Sequence, residues 1–334
     1  MSVIRLKNSV NIISSASVVG RHEHEGPLGE LFDFWDEKDT FGMETWERAE
    51  AEMQRLALSF ALSKAGISGD SLDAIFAGDL LNQCTSSSYG LLPFNAPFFG
   101  LYGACSTVVE GMILASLLIE SGHFSRVADV VSSHNCAAER QYRTPIEYGA
   151  LRAQTSQWTV TGAGAFILTN AGDGAEISEL LPGRTIDLGI NDPADMGAAM
   201  APAAADTLVR FFRETKTSPD DYDKIITGDL GSRGFELMSE LMFREGYDVS
   251  RAYTDCGMLI YDRKKSDVHS GGSGCGCSAV VFGSHFLREI EKGELGPVLL
   301  IGTGALMSPL TVAQGQNIPA VAHLVKIVKK GASL

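Results

Sequence analysis

Positive charge is scarce in this sequence. Against 41 aspartates and glutamates stand 27 lysines and arginines, for a formal net charge of −14. No Lys/Arg block or basic amphipathic face offsets that balance, which argues against nucleic acid as a partner. Long apolar runs are missing too. No uninterrupted stretch reaches the roughly 18 residues of a membrane-spanning helix. Arg5, Lys7 and Asn8 break the apolar pattern of the first ten residues, which makes them a poor secretory signal. A soluble protein is expected, one that can still dock on a membrane complex. Cysteine is sparse, 6 residues with no zinc-ligand spacing, and Cys275-Gly-Cys277 has no second pair to match it. This usage fits a reduced, cytosol-like compartment and not a disulfide scaffold. His22 and His24 lack a visible partner set, so no metal site is expected.

What the chain does have is apolar mass. It is 45% hydrophobic with 36 glycines in 334 residues, enough for two or so domains with large cores. Its organising stretch is Leu101-Tyr-Gly-Ala-Cys-Ser-Thr-Val-Val-Glu-Gly111, followed by a helical apolar pattern from Met112 to Ser121. This reads as a strand–turn–helix elbow in which Gly103 permits the sharp turn and Cys105 opens the helix. A thiol there lies beside free N–H groups and the positive end of the helix dipole. Both are expected to favour the thiolate and to hold an anion.

Around that elbow the sequence repeats itself. Asp73-Ala-Ile-Phe-Ala-Gly-Asp-Leu80 is echoed by Asp223-Lys-Ile-Ile-Thr-Gly-Asp-Leu230, and Cys105-Ser-Thr-Val-Val-Glu-Gly111 by Cys277-Ser-Ala-Val-Val-Phe-Gly283. Each copy is followed by a hydrophobic strand, Arg126 to Ser133 and Pro297 to Gly304. The order implies an internal duplication, with halves at 1–170 and 171–334 and a surface excursion at about 21–43. Central strands that are apolar throughout are buried on both faces. The expected class is therefore α/β, a duplicated five-layer α/β/α/β/α sandwich whose elbow helices share the middle layer. A long amphipathic helix is expected from Thr45 to Ala65, capped by Gly66. Residues 171–200, rich in Gly, Asp and Pro, are expected to form the crossover.

A duplicated sandwich with a cysteine opening its first central helix resembles the thiolase and ketoacyl-synthase superfamily, over about residues 45–330. Within it, five strings together resemble the stage V sporulation protein AD family. They are Gly103-Ala-Cys-Ser106, Val131-Ser-Ser-His-Asn135, Gln157-Trp-Thr-Val-Thr-Gly-Ala-Gly-Ala165, Asp195-Met-Gly-Ala-Ala-Met-Ala-Pro-Ala203 and Gly271-Gly-Ser-Gly-Cys-Gly-Cys-Ser278. The resemblance implies a binding protein for dipicolinic acid, free or as its calcium chelate. It would help move the ligand into the developing spore and out at germination, with other SpoVA proteins at the spore inner membrane. It implies no resident cofactor, calcium being carried with the ligand. By superfamily analogy it also implies a homodimer.

Cys105 matches the superfamily nucleophile. Asp229 stands where condensing enzymes carry His or Asn, and a carboxylate there raises a thiol's pKa and cannot donate to an oxyanion. His269, in a Gly-rich loop, matches a second superfamily histidine. The expectation is a pocket without condensing activity, its vestigial catalytic set being Cys105, Asp229 and His269. The competing readings are an acyl-transfer enzyme using Cys105 and an interaction scaffold. A flat dicarboxylate calls for converging donors. The candidates are Cys105 and Ser106 at the elbow, Ser132, Ser133, His134 and Asn135 after the next strand, and Gly304 at the equivalent turn of the second half. Arg140 and Arg143 are read as solvated, and Asn82 and Gln83 as pocket-edge residues.

Overall fold

The computed structural model describes residues 2–142, 152–265 and 267–331, so Arg143 lies outside the described residues. Strand β1 (Ile4–Gly20) is largely buried from Val10 onward. The excursion behind it is anchored and not merely superficial. It holds helix α1 (Arg21–His24) and strand β2 (Phe34–Asp36), which pairs parallel with Val18, Val19 and Gly20. Glu23 of α1 is fully buried, accepting the Thr161 N–H at 3.0 Å and the Tyr261 hydroxyl. Burial lifts its pKa to about 7.

The expected amphipathic helix is α2 (Trp46–Ala65). Thr45 caps its start by accepting from the Arg48 N–H, and Gly66, at φ 65°, closes it with bonds to the Leu62 and Ser63 carbonyls. Strand β3 (Ala74–Gly78), helix α3 (Thr85–Gly90) and strand β4 (Phe98–Gly100) lead into α4 (Thr107–Glu120), the elbow helix. Strand β5 (Arg126–Ser133), helix α5 (Asn135–Tyr142), and strands β6 (Trp158–Thr159) and β7 (Gly162–Thr169) follow. The crossover reading of 171–200 needs correction, because β8 (Ala175–Leu181) lies inside it. Polar Glu176, Ser178 and Glu179 interrupt buried Ala175, Ile177, Leu180 and Leu181, so no continuous apolar run marks the strand in the sequence.

The remaining elements are α6 (Met196–Thr215), β9 (Lys224–Thr227), α7 (Gly231–Arg244), β10 (Tyr253–Asp255), α8 (Cys256–Leu259), β11 (Gly272–Ser273) and α9 (Cys275–Val281). A π-helical turn and α10 (Leu287–Lys292) precede β12 (Val298–Ala305), α11 (Pro309–Ala313) and β13 (Ala320–Lys329). The strands form one hydrogen-bonded path, β10-β9-β12-β13-β8-β1-β7-β5-β3-β4. Outward from the antiparallel β8–β1 seam, both sides run antiparallel, antiparallel, parallel, parallel. Topology thus repeats what the sequence repeats.

Three apolar clusters separate the layers. One packs α2 on the first sheet region through Ala49, Met53, Ala57 and Leu58. A second packs α6 on the other through Met200, Leu208 and Phe211. The central one holds α4 and α9 between strands of both halves, with Met112, Phe166 and Phe282 fully or almost fully buried. Each such side chain contributes roughly 1.5–3 kcal/mol. A separate parallel ribbon, β6 with β11, pairs Trp158 with Gly272 and Thr159 with Ser273, stitching the halves at the rim. Among the described residues no helix is long and apolar enough to cross a membrane.

The Asp129 carboxyl group sits inside this packing without a hydrogen-bond partner among the described residues. Asp129 of β5 faces Gly111 of α4, where a Cβ would come within 2.1 Å of Oδ1, and neither carboxyl oxygen is hydrogen-bonded. Burial, then the nearby Glu110, pushes its pKa well up, so the group is protonated. A raised folded-state pKa gives stability that is complete below the unfolded value of about 4 and is lost as pH rises through the folded value. Asp129→Asn is therefore expected to change stability by only about 1 kcal/mol at pH 4 and to flatten its decline toward alkaline pH. Denaturation midpoints measured from pH 4 to 9 check this, and an unaltered pH slope would contradict it.

Candidate functional site

The elbow turns at Ala104, which carries the left-handed φ of 50°, and not at Gly103. Gly103 is required for closeness instead: a Cβ there would meet Glu110 Oε2 at 2.5 Å and Ser106 Oγ at 2.7 Å. The turn is closed on itself. Ser106 Oγ donates to the Gly103 carbonyl at 2.7 Å and Thr107 Oγ1 to the Ala104 carbonyl at 2.6 Å. The backbone N–H groups of Ser106 and Thr107 bond to the same two carbonyls. Those two N–H groups are therefore not free for an anion, and the helix begins two residues after Cys105. Gly304 of β12 backs the elbow, since a Cβ on it would lie 2.2 Å from the Gly103 carbonyl and 3.1 Å from Ser106.

Across the central layer, Cys105 meets the second half. Its Sγ lies 3.9 Å from Ser273 Oγ. Ser273 in turn donates to Asp229 Oδ2 at 3.0 Å, as does the Gly274 N–H, while Thr303 Oγ1 donates to Oδ1 at 2.8 Å. Because the Ser273 proton is committed to Asp229, the thiol is the donor in its own contact. Asp229 is fully buried in the loop after β9. Burial raises its pKa, opposed by the donors gathered on it. Burial first, and the Asp229 charge next, drive the Cys105 pKa well up. The expected thiolate is thus corrected to a thiol: desolvation and a facing carboxylate outweigh the helix end.

The loop that presents Asp229 is itself fixed by a second buried carboxylate. Asp255 accepts the Thr227 hydroxyl at 2.7 Å and the N–H groups of Leu230, Gly231 and Met258 at 2.8–3.1 Å. Gln157 adds a bond from Nε2 to the Asp229 carbonyl at 2.6 Å.

The other sequence candidates divide by strand face. Ser133 points to α9, its Oγ donating to the Val160 carbonyl at 2.7 Å and accepting from the Gly276 N–H. Ser132, one residue before, points the other way. Its Oγ joins a buried chain that runs from Glu50 through Ser132, Gln54 and Ser87 to Asp79, with links of 2.6–2.9 Å. His134 Nε2 bonds to the Asp39 carbonyl at 2.8 Å beside Trp46, and burial lowers its pKa, so it is a neutral donor. Asn135 caps Thr159 and Thr161. His269, at φ 46°, turns to Asp267 at 3.1 Å. Cys105, Ser106, Gly304 and Asp229 therefore come together, while Ser132, His134, Asn135 and His269 bond elsewhere. Arg140 pairs with Glu47.

Ser273 and Thr303 were not singled out from the sequence. Their signal is a lone hydroxyl between glycines at the end of a buried strand, Gly272-Ser-Gly274 and Gly302-Thr-Gly304. Among the described residues, no three His, Cys, Asp or Glu side chains are grouped to hold a metal ion.

Comparisons with known proteins bear on this geometry. The family model for stage V sporulation protein AD matches residues 1–328. Stage V sporulation protein AD of Bacillus subtilis (strain 168) is 40% identical over 327 residues, covering 98% of this chain and 96% of that protein. Among solved structures, Xanthomonas campestris OleA superposes with a TM-score of 0.62 at 15% identity, covering 97% of this chain and 99% of its own. The 3-oxoacyl-(acyl carrier protein) synthase III of Xanthomonas oryzae gives 0.60 at 16%, covering 97% and 100%. These last likenesses concern the fold alone.

Removing the Asp229 charge tests the electrostatics. Asp229→Asn is expected to lower the Cys105 pKa and to speed its alkylation by iodoacetamide at pH 8 by roughly tenfold. Peptide mass spectrometry of the Cys105 segment reads the rate, and a rate–pH profile identical to wild type would contradict the assignment.

Proposed function

This chain belongs to the stage V sporulation protein AD family of sporulation proteins, and we propose that it binds the calcium chelate of dipicolinate at the Cys105 elbow without transforming it. The observation that carries the reading is the buried Asp229. A condensing enzyme needs a thiolate and free donors for an oxyanion. Here the thiol stays protonated, and Ser273, Thr303 and the Gly274 N–H already serve a carboxylate. The same acidity opposes a free dianion but tolerates a neutral one-to-one chelate, whose hard cation suits carboxylate oxygen. In this reading the protein hands its ligand to other SpoVA proteins at the spore inner membrane, during uptake and again at germination.

We also propose that the protein is a homodimer. Strand β4 ends the sheet path with Phe98 and Phe99 exposed, and Tyr89 and Leu92 stand out beside it. An open apolar edge invites strand pairing, and a second copy of the same edge satisfies it by two-fold symmetry. Phe99→Lys is expected to shift the mass measured by light scattering from two chains to one. A wild type of one chain's mass would refute this.

The ligand is tested by calorimetric titration of dipicolinate, with and without calcium, into wild type and Cys105→Ala. Saturable binding is expected with calcium and weaker binding without it, the substitution costing roughly threefold to tenfold in affinity. Absence of saturable heat would leave a scaffold. An acyl adduct on Cys105 after exposure to coenzyme A thioesters would establish the acyl-transfer alternative.

A further inference from the structure

Two tyrosines meet beside the elbow from opposite loops. Tyr102 lies three residues before Cys105, on the segment joining β4 to α4, and Tyr142 is the last residue of α5. Their hydroxyls are 2.8 Å apart, and Tyr142 also donates to the Leu80 carbonyl at 2.7 Å. With that proton committed to Leu80, the Tyr142 oxygen accepts from Tyr102. Gln141 ties the same end of α5 to the loop after β3, its Nε2 donating to the Leu80 carbonyl at 3.0 Å and its Oε1 accepting from the Asn82 N–H at 2.9 Å. Asn82, read from the sequence as a pocket-edge residue, thus helps anchor the Tyr142 side of the pair. Cys105 is 7% exposed while Tyr102 is 44% exposed, so the phenol stands outward of the thiol. Burial raises the pKa of both phenols and keeps them as neutral hydrogen-bonding groups.

We propose that the Tyr102–Tyr142 pair is an aromatic clasp over the Cys105 elbow, which opens to admit a planar ring and then stacks on it. The clasp is held by one phenol–phenol hydrogen bond, worth only about 1 kcal/mol net, so parting it is easy. It joins the two side chains at their hydroxyl tips, and each ring is rigid and apolar with a polar tip, which suits a flat heteroaromatic ligand whose carboxylates need donors. The claim about the ring rests on the dipicolinate reading above, whereas the claim about shielding the thiol does not.

Two readouts separate them. Tyr142→Phe keeps the ring and removes both hydrogen bonds. Alkylation of Cys105 by iodoacetamide is expected to rise severalfold, with Cys256 in the same protein unchanged as a check against general loosening. Tyr102→Phe, which removes only the phenol–phenol bond, is expected to act in the same direction. For the ring, dipicolinate is compared with glutarate, which has the same three-atom spacing between carboxylates and no ring. Tyr102→Ala is expected to reduce the preference for dipicolinate by roughly fivefold to tenfold, leaving glutarate binding little altered. If wild type binds dipicolinate and neither readout moves, the clasp is wrong and the ligand stands. If Cys105 becomes reactive in the Phe variants while wild type binds no dipicolinate, the clasp stands as a thiol shield and the ligand reading falls.

Discussion

A carboxylate sealed from water persists only where donors converge on it, and Asp229 imposes that requirement on the centre of this molecule. Its donors come from two places in the second half: β11 and the residue that follows it, and the inner face of β12. Ser273 is carried by a strand that pairs with β6 of the first half, so the carboxylate's satisfaction depends on the two halves being in register. Asp255 does the same service one layer out, holding the loop that aims Asp229. Cys105 is then defined by what remains, a thiol pressed against an acidic group with its neighbour's proton already taken.

This arrangement separates fold from chemistry. The superposition on OleA and on 3-oxoacyl-(acyl carrier protein) synthase III shows that the chain shares their fold. A scaffold of this kind delivers a cysteine, a helix and two facing loops to one point, but it does not dictate what the facing loop carries. Aspartate there reverses the local logic.

The sequence disclosed the architecture well because duplication is written in residues that pack. Gly78-Asp79 and Gly228-Asp229 mark equivalent strand ends, and the strand order on either side of β8–β1 matches accordingly. It hid β8, whose polar Glu176, Ser178 and Glu179 break up the apolar pattern although Glu179 is itself buried. The site was partly legible. Cys105, Asp229 and Gly304 lie on the repeat and could be aligned, whereas Ser132 and Ser133 are adjacent letters that a strand sends to opposite faces. Which of them faced α9 depended on register, and register depends on contacts far away in sequence. The helix-end argument for a thiolate was sound locally and lost to burial, a quantity no local window contains.

The β8–β1 seam has a mechanical consequence. Eleven strands joined edge to edge behave as a single beam, and the two halves meet along backbone hydrogen bonds as well as across the apolar central layer. Domain closure of the hinge type, in which lobes swing about a linker, is denied to such a body. Any movement that exposes or covers its interior is left to the loops at the strand ends, because the sheet itself has no hinge about which to fold.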